Sequence, residues 1–138
     1  MNDLIFSVPG TPVPQPRPRV TTQGGYARAY TPSDHPINAY RKAIESAARA
    51  AGAVPINDAP LVLEVDLVFP RPKSHLTKSG VKSTAPQLPR CDVSNCLKGI
   101  EDALNGVAYV DDSQIGLVVA RKSWGTEPRT AVRIKVAS

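Results

Sequence analysis

Asp92, Glu101, Asp102, Asp111 and Asp112 make up five of the chain's twelve acids, and Lys98 lies among them in one short stretch. Carboxylate oxygens are the ligands a hard cation such as magnesium takes, usually one or two of them beside a substrate phosphate. A nearby lysine can stabilise charge that develops on a phosphate oxygen. These residue types suit metal-assisted chemistry on a phosphodiester. They also suit ordinary structural duties. Asp92 or Ser94 can cap a helix, Asp111-Asp112 can form a turn ahead of a strand, and Lys98 with Asp102 can be a surface i,i+4 pair. On spacing alone both readings stand.

The elements that must position these groups are a short helix and the strand after it. Leu97, Ile100 and Leu104 recur at i, i+3 and i+7, which predicts a core-facing helical stripe. Asn95, Lys98 and Asp102 have the same spacing and share another face, which Asp92 enters from the preceding loop. Asn105-Gly106 stops the helix. Ile115 to Ala120 is apolar and predicts a strand. Acids at the helix start and at the strand edge can meet if the two elements pack side by side.

The string Asp92-x-Ser94-Asn95-x-x-Lys98, then Asp102-Ala103-Leu104, then Asp111-Asp112-x-Gln114, resembles the RusA-type Holliday junction resolvase family. That family's pattern is Asp-x-Asp-Asn-x-x-Lys, a helix ending in Asp-Ala-Leu, and a later Asp-Asp-x-Gln. Val8-Pro9-Gly10, Arg17-Pro18-Arg19 and Tyr30-Thr31-Pro32 are similar to the family's opening, so the resemblance spans most of the chain. It implies that Asp92 and Asp112 bind metal with Asp111 in support, that Lys98 is catalytic, and that Ser94, Asn95 and Asp102 are supporting residues. It further implies a magnesium-dependent endodeoxyribonuclease, with manganese able to substitute, that resolves four-way DNA junctions in recombination and repair. A homodimer is implied as well, because a four-way junction offers two equivalent strands to cut. No nucleotide cofactor and no membrane partner are expected, and the setting implied is the cytoplasm of a bacterium or of a phage-infected cell. Ser94 departs from the pattern, standing where the family has its second metal-binding Asp. A hydroxyl is a neutral, weaker ligand than a carboxylate. The alternative is therefore a junction-binding protein that cuts weakly or not at all, and a third reading is a basic RNA-binding domain without chemistry.

With 138 residues, one domain over 1–138 is expected. The net charge of +5 suits a polyanionic partner. The charge is uneven. Residues 11 to 30 hold Arg17, Arg19 and Arg28 without an acid, and residues 71 to 90 hold Arg71, Lys73, Lys78, Lys82 and Arg90 without an acid. Arg17, Arg19, Arg28, Lys73, Lys78, Lys82 and Arg90 are the candidate DNA contacts. Cys91 and Cys96 have the spacing of neither a zinc pair nor a disulfide, and His35 and His75 have no cluster around them. Two cysteines without a framework suit a reducing compartment. No signal peptide is predicted at Met1-Asn2-Asp3, and no apolar run approaches the ~20 residues of a membrane span.

In chain order, Leu4 to Val8 predicts a strand and Pro12 to Pro18 an extended basic arm. Thr21 to Tyr26 predicts a hairpin turning at the Gly pair, with Tyr30 packed beneath it. Ser33-Asp34 offers caps for a helix from Pro36 to Gly52. Leu61 to Phe69 predicts a strand whose Leu63, Val65, Leu67 and Phe69 face the core, while Glu64 and Asp66 face either solvent or the acidic site. Pro70 to Leu88 predicts a structureless flexible flap that orders on nucleic acid. Ile115–Ser123 and Arg129–Val136 predict two last strands around a turn, with Trp124 as a wedge or a packing anchor. The order β-α-β-α-β-β makes an α+β domain with a mixed sheet and two main helices on one face, in keeping with the resemblance.

Overall fold

The computed structural model describes residues 3–16 and 19–137. Arg17 lies outside the described residues, and so does the side chain of Arg19. A four-stranded mixed sheet is formed by β1 (Leu4–Pro9), β4 (Leu61–Pro70), β7 (Ile115–Gly125) and β8 (Arg129–Val136), in the order β1-β8-β4-β7. β4 pairs antiparallel with β8 and parallel with β7. The link from β7 to β8 is short, yet β4 lies between the two strands, so they form no hairpin. The expected order of main elements holds. Two small hairpins are added, β2 (Arg19–Thr21) with β3 (Arg28–Tyr30), and β5 (Leu76–Thr77) with β6 (Gly80–Val81).

Alternation along the central strand sets the layers. Leu63, Val65, Leu67 and Phe69 of β4 are buried beneath both helices, joined by Phe6 and Val8 of β1 and by Val132 and Ile134 of β8. α1 (Pro36–Ala50) contributes Ile37, Tyr40, Ile44 and Ala48, and α2 (Val93–Leu104) contributes Cys96, Ile100 and Leu104. Cys96 thus takes the innermost place expected of Leu97, which lies at the margin. Gly99 lets the helices approach closely: a β-carbon there would stand 3.1 Å from Cδ1 of Ile37. The hydroxyl of Tyr40 is bonded to Thr130, a buried polar side chain of β8.

Three expectations are corrected, and the alternative left open for Glu64 and Asp66 is decided in favour of the solvent-facing side. His35, rather than Ser33 or Asp34, caps α1: its Nδ1 accepts the amide of Ile37 at 3.0 Å, while the carbonyls of Pro32 and Ser33 receive the Asn38 side chain. Tyr30 is exposed rather than packed beneath the hairpin, because β2–β3 has no layer under it. Glu64 and Asp66 lie on the open face of the sheet and pair with Arg133, Lys135 and Arg121, so they have no part in the acidic stretch. The segment after Pro70 is not structureless. Trp124 anchors it: the indole N–H and an Arg71 N–H both donate to the carbonyl of Pro86 at 3.1 Å, the Arg71 guanidinium lies 4.9 Å over the indole ring, and His75 meets that ring edge-on.

Candidate active site

Asp92 starts α2. Its backbone is extended, and its Oδ1 accepts the amide of Ser94 at 2.9 Å. Ser94, Asn95 and Lys98 are exposed on the turns that follow. Lys122 of β7 reaches this end of the helix and donates to the carbonyl of Cys91 at 2.9 Å. The two sulfurs, whose spacing did not suggest a pair, lie 3.7 Å apart as free thiols. Burial pushes the Cys96 thiol up to about 12, helped by Cys91 and by the charge of Asp92. The end of α2 that carries Asp92 is therefore the end beside Lys122.

The opposite end carries the other acids. Asn105 ends the helix and Gly106 turns the chain at φ +76°. The Asn105 side-chain oxygen then accepts the amide of Asp112 at 3.1 Å. Asp111 caps the single 3-10 turn Asp112–Gln114. Gln114 fixes that turn from both sides. Its Oε1 accepts the amides of Val110 and Asp111 at 3.0 Å, and its amide group donates to the carbonyls of Ile56 and Ala59. The hydroxyl of Tyr109 donates to the carbonyl of Glu101 at 2.7 Å. Asp111 and Asp112 are adjacent carboxylates that divide their acidity unequally. The Ser113 amide and Asp112 hold Asp111 below the usual carboxylate range, whereas Asp111 foremost, then desolvation and the charges of Asp111 and Asp102, hold Asp112 above it. Burial raises Glu101, with the charges of Asp112 and Asp102 adding to it. Lys98 lowers both Asp112 and Glu101.

One chain thus brings Lys98, Glu101, Asp102, Asp111 and Asp112 together and leaves Asp92 apart. α2 has 12 residues, so at ~1.5 Å per residue about 18 Å of helix separates its two ends. The expectation that a helix start and a strand edge bring Asp92 to Asp112 fails within the chain, because Asp112 follows the end of that same helix. Asp102 pairs with Arg41 at 3.7 Å, not with Lys98 as the i,i+4 spacing allowed. The oxygen donors suit a hard cation, but among the described residues no three His, Cys, Asp or Glu side chains are placed to share one.

Of the candidate DNA contacts, Lys73, Lys78, Lys82 and Arg90 are exposed on the segment leading into Asp92. Arg28 is occupied within its hairpin, donating to the carbonyl of Gln23 and lying 5.1 Å over the Tyr26 ring. Glu101, Arg41 and Lys122 belong to these surroundings although spacing did not single them out. Glu101 could have been found as the neighbour of Asp102. Arg41 and Lys122 arrive from α1 and β7 through tertiary packing, which no local pattern reports.

A 30% identical protein of Bacillus subtilis (strain 168), the uncharacterized protein YqaN, aligns over 100% of this chain and 99% of its own length. The family model described as endodeoxyribonuclease RusA matches residues 9–135, which contain both ends of α2, the Asp111-Asp112 turn and the basic segment. The chain therefore belongs to the RusA endodeoxyribonuclease family.

Proposed function

We propose that this endodeoxyribonuclease nicks four-way DNA junctions with a magnesium or manganese ion, and that it does so as a homodimer whose sites each draw on two chains. The observation that supports it is the disposition of the acids on α2. Lys98, Asp111 and the half-buried Asp112 form one group, while Asp92 lies a helix length away. In a symmetric dimer a carboxylate missing from each site can come from the other copy. Asp111 and Asp112 of one chain and Asp92 of the other would hold the cation, which when bound supplies Lewis acidity toward the scissile phosphate. Lys98 places its ammonium where charge develops on that phosphate. Asn95 and Ser94 offer neutral hydrogen bonds to the DNA backbone beside Asp92. The basic segment carrying Lys73, Lys78, Lys82 and Arg90 offsets the repulsion between an acidic site and DNA. Free cysteines accord with a reducing cytoplasm, bacterial or phage-derived.

The test is cleavage of an end-labelled synthetic four-way junction with magnesium or manganese. Asp92→Asn, Asp112→Asn and Lys98→Ala should each abolish nicking. Undiminished cleavage by any of the three removes that residue from the site. A second reading rests on Ser94: Asp92 is engaged as a helix cap, and the residue two positions on supplies no second carboxylate. On that reading the protein binds junctions and cuts them poorly, and Ser94→Asp should then raise cleavage strongly. Brisk wild-type cutting that Ser94→Asp leaves unchanged would dismiss it.

A further inference from the structure

We infer that the β2–β3 hairpin is a finger that stacks Tyr26 and Tyr30 on bases left open at a DNA branch point. The inference rests on the junction reading above and adds which part of the chain tells a branch from a plain duplex. The hairpin has no core of its own. Its strands have 3 residues each, and Tyr26 is 61% and Tyr30 45% exposed. Large rings gathered in water on one small element mark an interaction site. Arg28 joins them. Side chains alternate along a strand, so Arg28 and Tyr30 share one face of β3. The Arg28 guanidinium lies 5.1 Å over the Tyr26 ring and donates to the carbonyl of Gln23 at 3.0 Å, so the ring is held in place. The turn is braced as well. Oγ1 of Thr21 accepts the amide of Gln23 at 3.2 Å, and the carbonyl of Thr22 accepts that of Gly25 at 3.0 Å. Rings fixed before binding lose little freedom on binding.

Both feet of the hairpin stand where α1 and α2 meet. The incoming arm is fixed to α2: the amide of Gln15 donates to the carbonyl of Asn95 at 3.0 Å, and Oε1 of Gln15 accepts from Arg41, which pairs with Asp102. The outgoing strand leads through Pro32 and Ser33, whose carbonyls receive the Asn38 side chain, into α1. Ile37 of α1 in turn lies against Gly99 of α2. The finger therefore springs from beside the helical turn Asn95–Gly99, which carries Lys98. Charge and chemistry name the occupant. Residues 11 to 33 contain no acid, so this part of the chain attracts a polyanion. Rings beside positive charge suit nucleic-acid bases, and stacking on them depends little on sequence. Within a duplex both faces of every base are covered by its neighbours. At a branch point the stacks are interrupted, and the last bases of the arms expose a face. A stacking finger beside Lys98 thus favours a phosphate next to a branch over one within an arm.

Two measurements test the finger. Binding is measured in EDTA, so that nothing is cut, to a four-way junction and to a linear duplex of the same sequence. The double variant Tyr26→Leu, Tyr30→Leu keeps apolar bulk and removes the rings. It should weaken junction binding at least about tenfold and leave duplex binding unchanged. The double variant Tyr26→Phe, Tyr30→Phe keeps the rings and should bind the junction as the wild type does. With iododeoxyuridine at the branch point, ultraviolet light should join that base to Tyr26 or Tyr30; with the same base in the middle of an arm it should not. A leucine pair that binds the junction like the wild type or weakens both DNAs alike, a phenylalanine pair as weak as the leucine pair, or a crosslink to these tyrosines from the arm base overturns the finger and leaves the junction reading standing. A wild type that binds the duplex as tightly as the junction overturns both.

Discussion

If each site takes Asp92 from one chain and Asp112 from the other, two inactive variants must restore one another. The helix between these residues is about 18 Å long, whereas carboxylate oxygens sharing one magnesium each lie ~2.0–2.1 Å from it. No side-chain rotation closes that gap. A dimer of Asp92→Asn chains lacks one ligand at both sites, and so does a dimer of Asp112→Asn chains. In a dimer with one chain of each kind, one site loses both ligands and the other keeps both. Equal co-expression gives about half mixed dimers, hence about a quarter of the wild-type number of intact sites. The assay is nicking of a labelled four-way junction by a preparation purified through two different tags, one per chain. That purification isolates mixed dimers and should raise recovery to about half the wild-type rate per dimer. Because a mixed dimer has one working site, its product should be a single nick, not the paired cuts that resolve a junction. A two-tag preparation that stays as inactive as its parents would refute the reasoning, since that is what a site confined to one chain predicts.

Four further outcomes are expected. Replacing Lys73, Lys78 and Lys82 by Ala should flatten the salt dependence of junction affinity by about two to three units of slope, at ~0.9 per phosphate contact, while Asp92→Asn should leave junction binding intact; both are read from affinity across a salt series. Trp124→Ala removes the indole that holds Pro86, Arg71 and His75, so brief trypsin treatment should cut at Lys78 or Lys82 well before it cuts the wild type. Cys96 is fully buried with its thiol pushed up to about 12, so iodoacetamide at pH 8 should label at most one thiol per native chain and two only after unfolding, as counted by mass spectrometry. Gly99→Val forces methyl groups onto Ile37 and Gln15 and should cost about 1–3 kcal/mol, seen as a lower urea midpoint at unchanged slope.

Much of the fold was legible because its signals are local and periodic. Leu63, Val65, Leu67 and Phe69 read as one buried face, and they form it. The helix of Ile37, Tyr40 and Ile44 was marked at its end by Gly52, which adopts φ +96°. The errors arose where a distant residue decided the outcome. The segment after Pro70 has the composition of a disordered loop, and composition cannot show that Trp124, far along the chain, stacks with Arg71 and binds the Pro86 carbonyl. His35 became a cap because its Nδ1 can serve where Ser or Asp usually does, with Pro36 fixing the first turn. The open face was ambiguous for a similar reason. Glu64 and Asp66 alternate as solvent-facing acids do, and only the pairing of β4 with β7 and β8 brings Arg121 and Arg133 to them.

The site shows the same division more sharply. Helical spacing correctly placed Asn95, Lys98 and Asp102 along α2, and the turn signals at Asn105-Gly106 and Asp111-Asp112 correctly ended one element and began the next. Those correct local readings already contained the difficulty. If Asp92 caps the start of a helix and Asp112 follows its end, the two are separated by the length of that helix, however well the helix packs against the next strand. Motif order along a sequence carries no information about which copy of the chain supplies which carboxylate. On the proposed two-chain reading, the separation of the ligands along one helix follows from one requirement, that this chain cuts DNA only when paired with itself.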